Sequence, residues 1–182
     1  RHTRLTVLTG VQTCALPISH AEVMQVLEQC LRYLLAEQDG RGFVPEKGWA
    51  HALAHTADLL MVLSSSRYLR APELEHILQS ITDRLVNSGH TIYINDEDER
   101  LNGVVSAILE RDLLTTDTLA AWSKSLVQVD GENRWKEAYL DENRARARHN
   151  VKTFLRSLHY RLVKSRSEEH TSEHQSRQSI SY

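Results

Sequence analysis

Apolar residues recur in this chain at steps of three and four, segment after segment, and that periodicity confines it to helical folds. Between Ala21 and Ala36 the positions Val23, Val26, Leu27, Cys30, Leu31, Leu34 and Leu35 form one broad stripe ending near Asp39-Gly40, as in a helix with one face on a core. Ser19 and Glu22 have the spacing of a capping box at its start. A second helix is expected from Gly48 or Trp49 to about Ser64. It is apolar around most of its circumference, through Trp49, Leu53, Leu59, Leu60, Met61, Val62 and Leu63, and so is expected to be buried. Pro72 suits the first turn of a third helix carrying Leu74, Ile77, Leu78, Ile81, Leu85 and Val86 and stopping at Ser88-Gly89.

After the linker HTIYIN, a fourth helix from about Asp96 to Arg111 carries Leu101, Val104, Val105, Ile108 and Leu109. A fifth starts at Thr116 or Asp117 and contains Leu119, Trp122, Leu126 and Val127. From Asp130 to Asn143 the pattern dissolves into a loop or a frayed helix, and a last helix is expected from about Glu142 to Val163. There is almost no strand signal. Five or six helices on short connections, without a sustained heptad, predict an all-α domain of stacked antiparallel helical hairpins, a fragment of a HEAT-like α-α superhelix. No clean internal repeat occurs, so the superhelix rests on helix spacing alone.

The two ends read differently from the middle. Val11 to Ser19 (VQTCALPIS) and Arg166 to Ser176 (RSEEHTSEHQS) resemble the conceptual translation of short-read sequencing adapters. That resemblance implies that about 1–19 and 165–182 are not native and that the native domain is 20–164. The last segment is polar and aperiodic, as a disordered tail would be. The first does not pass for a signal peptide, because Thr, Gly, Gln and Pro interrupt any apolar stretch.

Setting both ends aside removes four of 22 basic and three of 24 acidic residues, leaving 18 against 21 and a net charge of −3. An acidic domain without a basic stripe argues against nucleic-acid and membrane-surface partners. Arg144, Arg146 and Arg148 do not alter this, since alternate residues on a helix point in different directions. Of the two cysteines, Cys14 falls in the adapter-like segment and only Cys30 remains, which builds neither a disulfide framework nor a cysteine zinc site. No apolar run reaches the ~20 residues needed to span a bilayer. A cytoplasmic protein is expected.

One stretch concentrates chemistry. On the expected second helix His51, His55 and Asp58 stand at i, i+4 and i+7 and share a face, preceded by a turn with Arg41 and Lys47. Three readings are open. The histidines form a polar seam between closely packed helices, where the flanking alanines permit close approach and buried polar groups find partners. Alternatively Arg41, Lys47, Trp49 and the helix start hold a small anion, with His51, His55 and Asp58 lining the same pocket. In the third, a divalent metal is held by His51 and His55, with support from Asp58 and Asp98, for hydrolysis. No HExxH motif or nucleophile elbow accompanies the set, and no cofactor is otherwise implied. Asp96, Glu97, Asp98 and Glu99 read as the start of a helix, with Asn95 or Asp96 as cap.

The run from Arg41 to Leu60, R-G-F-V-x-x-K-G-W-A-H-A-x-A-H-x-A-D-L-L, resembles the signature of an uncharacterised bacterial family, a domain of unknown function. The likeness continues more weakly into Asp98-Glu99-Arg100-Leu101 and into Asn150, Phe154, Leu155, Arg156, Ser157 and Leu158. It implies an all-helical, superhelical fold, of which this chain is similar to the C-terminal part, and no activity. Asp98 or Arg100 is expected to pair with the central motif, Asp98 with a cation of the turn. The expectation is a binding or scaffolding module rather than an enzyme, with a protein or a small anionic ligand as partner.

Overall fold

The computed structural model describes residues 19–179, with side chains described as far as Arg166. The adapter-like start up to residue 18, with Cys14 and the signal-peptide question, lies outside the described residues. Six helices pack together: α1 His20–Ala36, α2 Ala52–Ser64, α3 Ala71–Val86, α4 Glu97–Leu109, α5 Thr116–Ser125 and α6 Glu142–Ser179. Two small antiparallel hairpins interrupt them. One joins β1 Phe43–Val44 to β2 Gly48–Trp49, the other β3 Gln128–Val129 to β4 Glu132–Asn133, and a 3-10 helix Ala138–Leu140 follows. The helical class expected from periodicity holds, whereas no repeat superhelix is identified among the described residues.

The core follows the apolar stripes. Leu27, Leu31 and Leu34 of α1 meet Ala57 and Leu60 of α2, Ile77 and Leu78 of α3, Leu101, Val104 and Ile108 of α4, and Val151 and Phe154 of α6, all buried in one cluster. Each large aliphatic or aromatic side chain in it contributes about 1.5–3 kcal/mol by leaving water. Helix α4 is the hub, packed on α2, α3 and α6. Its contact with α2 is close because Ala54 and Ala57 are fully buried, and a Cβ on Gly103 would come within 3.1 Å of the Met61 sulfur.

Helix starts obey local rules. Ser19 accepts from the Glu22 N–H at 3.2 Å while Glu22 accepts from Ser19 N at 2.7 Å, completing the capping box. Pro72 lies in the first turn of α3, and Thr115 caps α5. Two helix ends are closed by arginines from elsewhere. Arg84 donates to the Glu37 carbonyl at 2.7 Å, and Arg111 donates to the carbonyls of Ser64, Ser66 and Leu69. A guanidinium satisfies the orphan carbonyls there and opposes the negative end of the helix dipole.

Four expectations require correction. Helix α2 starts at Ala52, since Gly48 and Trp49 pair with Val44 and Phe43 in a hairpin; strands of two residues leave no alternation to read. Nor is α2 buried all round, as Leu59, Met61 and Val62 face solvent, because the apolar character of a helix limits but does not dictate what covers it. Between 130 and 143 the structure has a hairpin and a 3-10 turn held by Trp135, whose indole donates to the Leu126 carbonyl at 2.9 Å. Finally, α6 keeps helical backbone to Ser179, past the expected end near 163. Extending a formed helix costs little where no Gly or Pro intervenes.

Candidate functional site

The chemistry-bearing stretch folds as a hairpin followed by a helix. Its turn, Pro45-Glu46-Lys47, is closed by Lys47 N donating to the Val44 carbonyl at 3.1 Å, with Glu46 and Gly48 both at positive φ. The ladder continues past the strands, Ala50 N to Gly42 O at 2.9 Å and His51 N to Arg41 O at 3.0 Å. The paired strands lie on the linker before α4. A Cβ on Gly40 would meet the Thr91 side chain at 2.4 Å, and one on Gly42 would meet the Asn95 side chain at 2.2 Å, so only glycine permits that approach.

Rings line up along the outside of this hairpin. Phe43 and Trp49, directly paired across it, meet edge to face at 5.5 Å, and each is 59% exposed. Trp49 stacks on His51 at 4.7 Å, and His51 meets the exposed His55 ring edge-on at 6.2 Å. His51 is not on the helix. It is the cap residue of α2 in the left-handed conformation, φ 46°, so the expected i, i+4, i+7 face loses its first member.

His51 is instead a fastener. Its Nε2 lies 2.5 Å from the Asn95 carbonyl; a carbonyl only accepts, so Nε2 carries the proton and donates. Glu97 is 3.9 Å from the same nitrogen and buried, and accepts from Asn95 N at 2.8 Å and from Asn95 Nδ2 at 3.3 Å. Asp58 points elsewhere, both its oxygens held by Arg100 at 3.0 and 3.2 Å. One residue of the Asp98–Arg100 pair thus does meet the central motif, and it is Arg100. Asp98 is buried at the start of α4 beside Ser157, and burial raises its carboxyl above the usual range.

The turn cations separate too. Arg41 forks onto Asp39, with Nε at 2.9 Å from Oδ1, and holds that carboxyl down to about 2. Lys47 sits exposed at the hairpin tip. Of the residues expected around an anion or a metal, Trp49, His51 and His55 come together as an aromatic and imidazole row, and Arg41 joins His51 only in lining a small cavity behind the hairpin. Among the described residues no group of three or more His, Cys, Asp or Glu side chains has the geometry to hold a metal.

Sequence reasoning missed a buried polar chamber behind His51. Arg84, Tyr93 and Glu97 are all nearly inaccessible and line a cavity of about 10 Å³ with Asp39, Thr91 and His51, room for about one water. Arg84 Nε has no hydrogen-bond partner there, the Tyr93 hydroxyl lies near Ser88 and Arg84 without a well-aligned bond, and burial raises that hydroxyl above its usual range. The available signal was Arg84 interrupting the apolar pattern of α3. A solvated surface arginine reads the same way.

Over residues 8–160 the chain matches the family described as Protein of unknown function (DUF2785). The chain belongs to that family. The match begins inside the adapter-like first segment and ends in α6, so it takes in the hairpin, the chamber and the whole core. No curated protein and no solved structure matches the DUF2785 chain. Among its described residues no helix is long and apolar enough to cross a membrane.

Proposed function

We propose that this DUF2785 chain is a binding module, in which the His51–Asp58 motif is the scaffold and the aromatic hairpin it supports recognises a protein partner. The observation that carries the reading is the exposure of Phe43 and Trp49 on a hairpin whose base is fixed by glycine contacts and the His51–Asn95 bond. Exposing two large rings costs burial that the core elsewhere obtains. Rigid aromatics lose little entropy on binding and are enriched where partners dock. Lys47 at the tip of the same hairpin is exposed, as is Ile94 on the linker it packs against, which suits an apolar partner segment with an acidic edge.

The hydrolase alternative gains no support from this geometry. His51 Nε2 is committed to a carbonyl and Asp58 to Arg100, so a metal would have to displace both. The test is a photo-crosslinking residue at position 43 of the full chain in its native cell, with one at Val62, on the exposed face of α2, as the control. A discrete protein adduct at 43, lost with Trp49→Ala and not formed from 62, is expected. No adduct at 43, or one indifferent to Trp49→Ala, would remove the reading.

A further inference from the structure

The β3–β4 hairpin and the 3-10 helix lean on α6 and enclose a second cleft. Its volume is about 720 Å³, the size of an ordinary small-ligand pocket. Three cations face it, Lys136, Arg148 and Lys152, together with Gln128 and Asn133, over a floor that includes Val151. No carboxylate lines it. Among the described residues neither lysine has an acidic partner, and Arg148 has only the neutral Tyr139, whose hydroxyl accepts from it at 2.6 Å and whose ring lies 4.9 Å below it. The contrast with Arg32, Arg41, Arg100 and Arg146, each on a carboxylate, is plain.

The wall of the cleft is held in place. Trp135 donates to the Leu126 carbonyl, Arg134 to that of Ser125 and Arg144 to that of Arg134, while Ala138, the first residue of the 3-10 helix, is fully buried. Tyr139, which also lines the cleft, is 77% exposed. Three uncompensated cations call for a multiply charged anion; an exposed ring beside them supplies a stacking face, and the amides offer donors and acceptors to a heterocycle.

We infer that this cleft binds a nucleoside diphosphate, the phosphates on Lys136, Arg148 and Lys152 and the base against Tyr139. Binding of ADP to the full chain is measured by titration calorimetry at low salt, with Lys152→Gln, Arg148→Gln, Tyr139→Leu and Arg32→Gln, each checked for native helicity by circular dichroism. ADP is expected to saturate one site. Lys152→Gln and Arg148→Gln are expected each to weaken it by at least about tenfold. Tyr139→Leu is expected to weaken ADP and leave pyrophosphate unchanged, and Arg32→Gln to alter nothing. Lys152 is exposed, so its variant stays informative if Arg148→Gln unfolds. The inference is overturned by no ADP binding at millimolar concentration, by ADP affinity indifferent to Lys152→Gln, by pyrophosphate binding as tightly as ADP, or by binding of a single-stranded oligonucleotide alone.

Discussion

Two asparagines are fully buried, Asn102 on α4 and Asn150 on α6, and replacing each by alanine separates a side chain that builds the fold from one that merely fits in it. Asn150 accepts from Tyr93 N at 2.9 Å and donates to Thr91 O at 2.8 Å and Ser88 Oγ at 2.9 Å, clamping the linker before α4 onto α6. Its truncation strands a buried N–H and a buried carbonyl. At about 1–3 kcal/mol for each orphan, the loss is about 2–6 kcal/mol. Asn102 makes one longer bond, Nδ2 to Phe154 O at 3.2 Å, and its Oδ1 already lacks a partner, so its truncation costs about 1–2 kcal/mol. The two cavities are alike in size and cancel in the comparison. Urea unfolding should therefore place the Asn150→Ala midpoint about 1 M below that of Asn102→Ala, for a slope of about 2 kcal/mol/M. Hydrogen exchange should show residues 88–93 opening first in the former. Equal midpoints, or a worse Asn102→Ala, would refute the argument from unsatisfied groups.

Truncating His51 and His55 separately tests their division of labour. His51→Ala is expected to cost about 1–3 kcal/mol in thermal or urea unfolding, because it orphans the Asn95 carbonyl and places alanine at positive φ. His55→Ala, on an exposed residue, should stay within about 0.5 kcal/mol. The Asp58–Arg100 pair is 39% and 52% exposed, so Arg100→Gln should cost at most about 1 kcal/mol and the cost should fade in high salt. Asp98 has a raised pKa from burial. The folded state therefore holds its proton more tightly than the unfolded chain, and this group's contribution weakens stability as pH rises through the folded pKa. Asp98→Asn should raise the thermal midpoint at pH 7, and the gain should vanish once pH falls below the unfolded value. A gain that persists in acid would contradict burial as the cause.

The helices were legible because each buries one stripe, and a stripe leaves a period in the sequence. Val23, Leu27, Leu31 and Leu34 repeat at four, four and three and all lie in the core. The hairpin was not legible. Arg41 to Trp49 has strands of two residues, and its identity depends on positive φ at Glu46 and Gly48 and on the approach to Thr91 and Asn95, none of which a one-dimensional pattern carries. That missed turn displaced the helix start by three residues and put His51 on a face it does not share. Pairings such as Asp58 with Arg100 or Asn150 with Tyr93 join residues 42 and 57 positions apart, a separation that helix-to-helix packing fixes and local sequence does not. Within the motif, His51 and Asp58 are spent on holding neighbouring segments, through Asn95 and Arg100.

A common pattern underlies these contacts. Arg84, Arg111, Asn150 and His51 each send a donor into a backbone carbonyl of another element, to Glu37, Ser64, Thr91 and Asn95 respectively. Where helices end or linkers turn, carbonyls have no helical partner, and a side chain from the facing element supplies one. His51 belongs to this set by geometry and by chemistry, so its place in the most distinctive sequence motif follows from assembly of the fold. Recognition is then to be sought among side chains that the fold leaves exposed: Phe43 and Trp49 of the first hairpin, Lys136 and Lys152 beside the second. Removing such groups should alter binding and spare stability. A Lys136→Gln, Lys152→Gln double variant is accordingly expected to unfold in urea within about 0.5 kcal/mol of the parent chain. A larger loss would mean that one of these side chains holds the structure together after all.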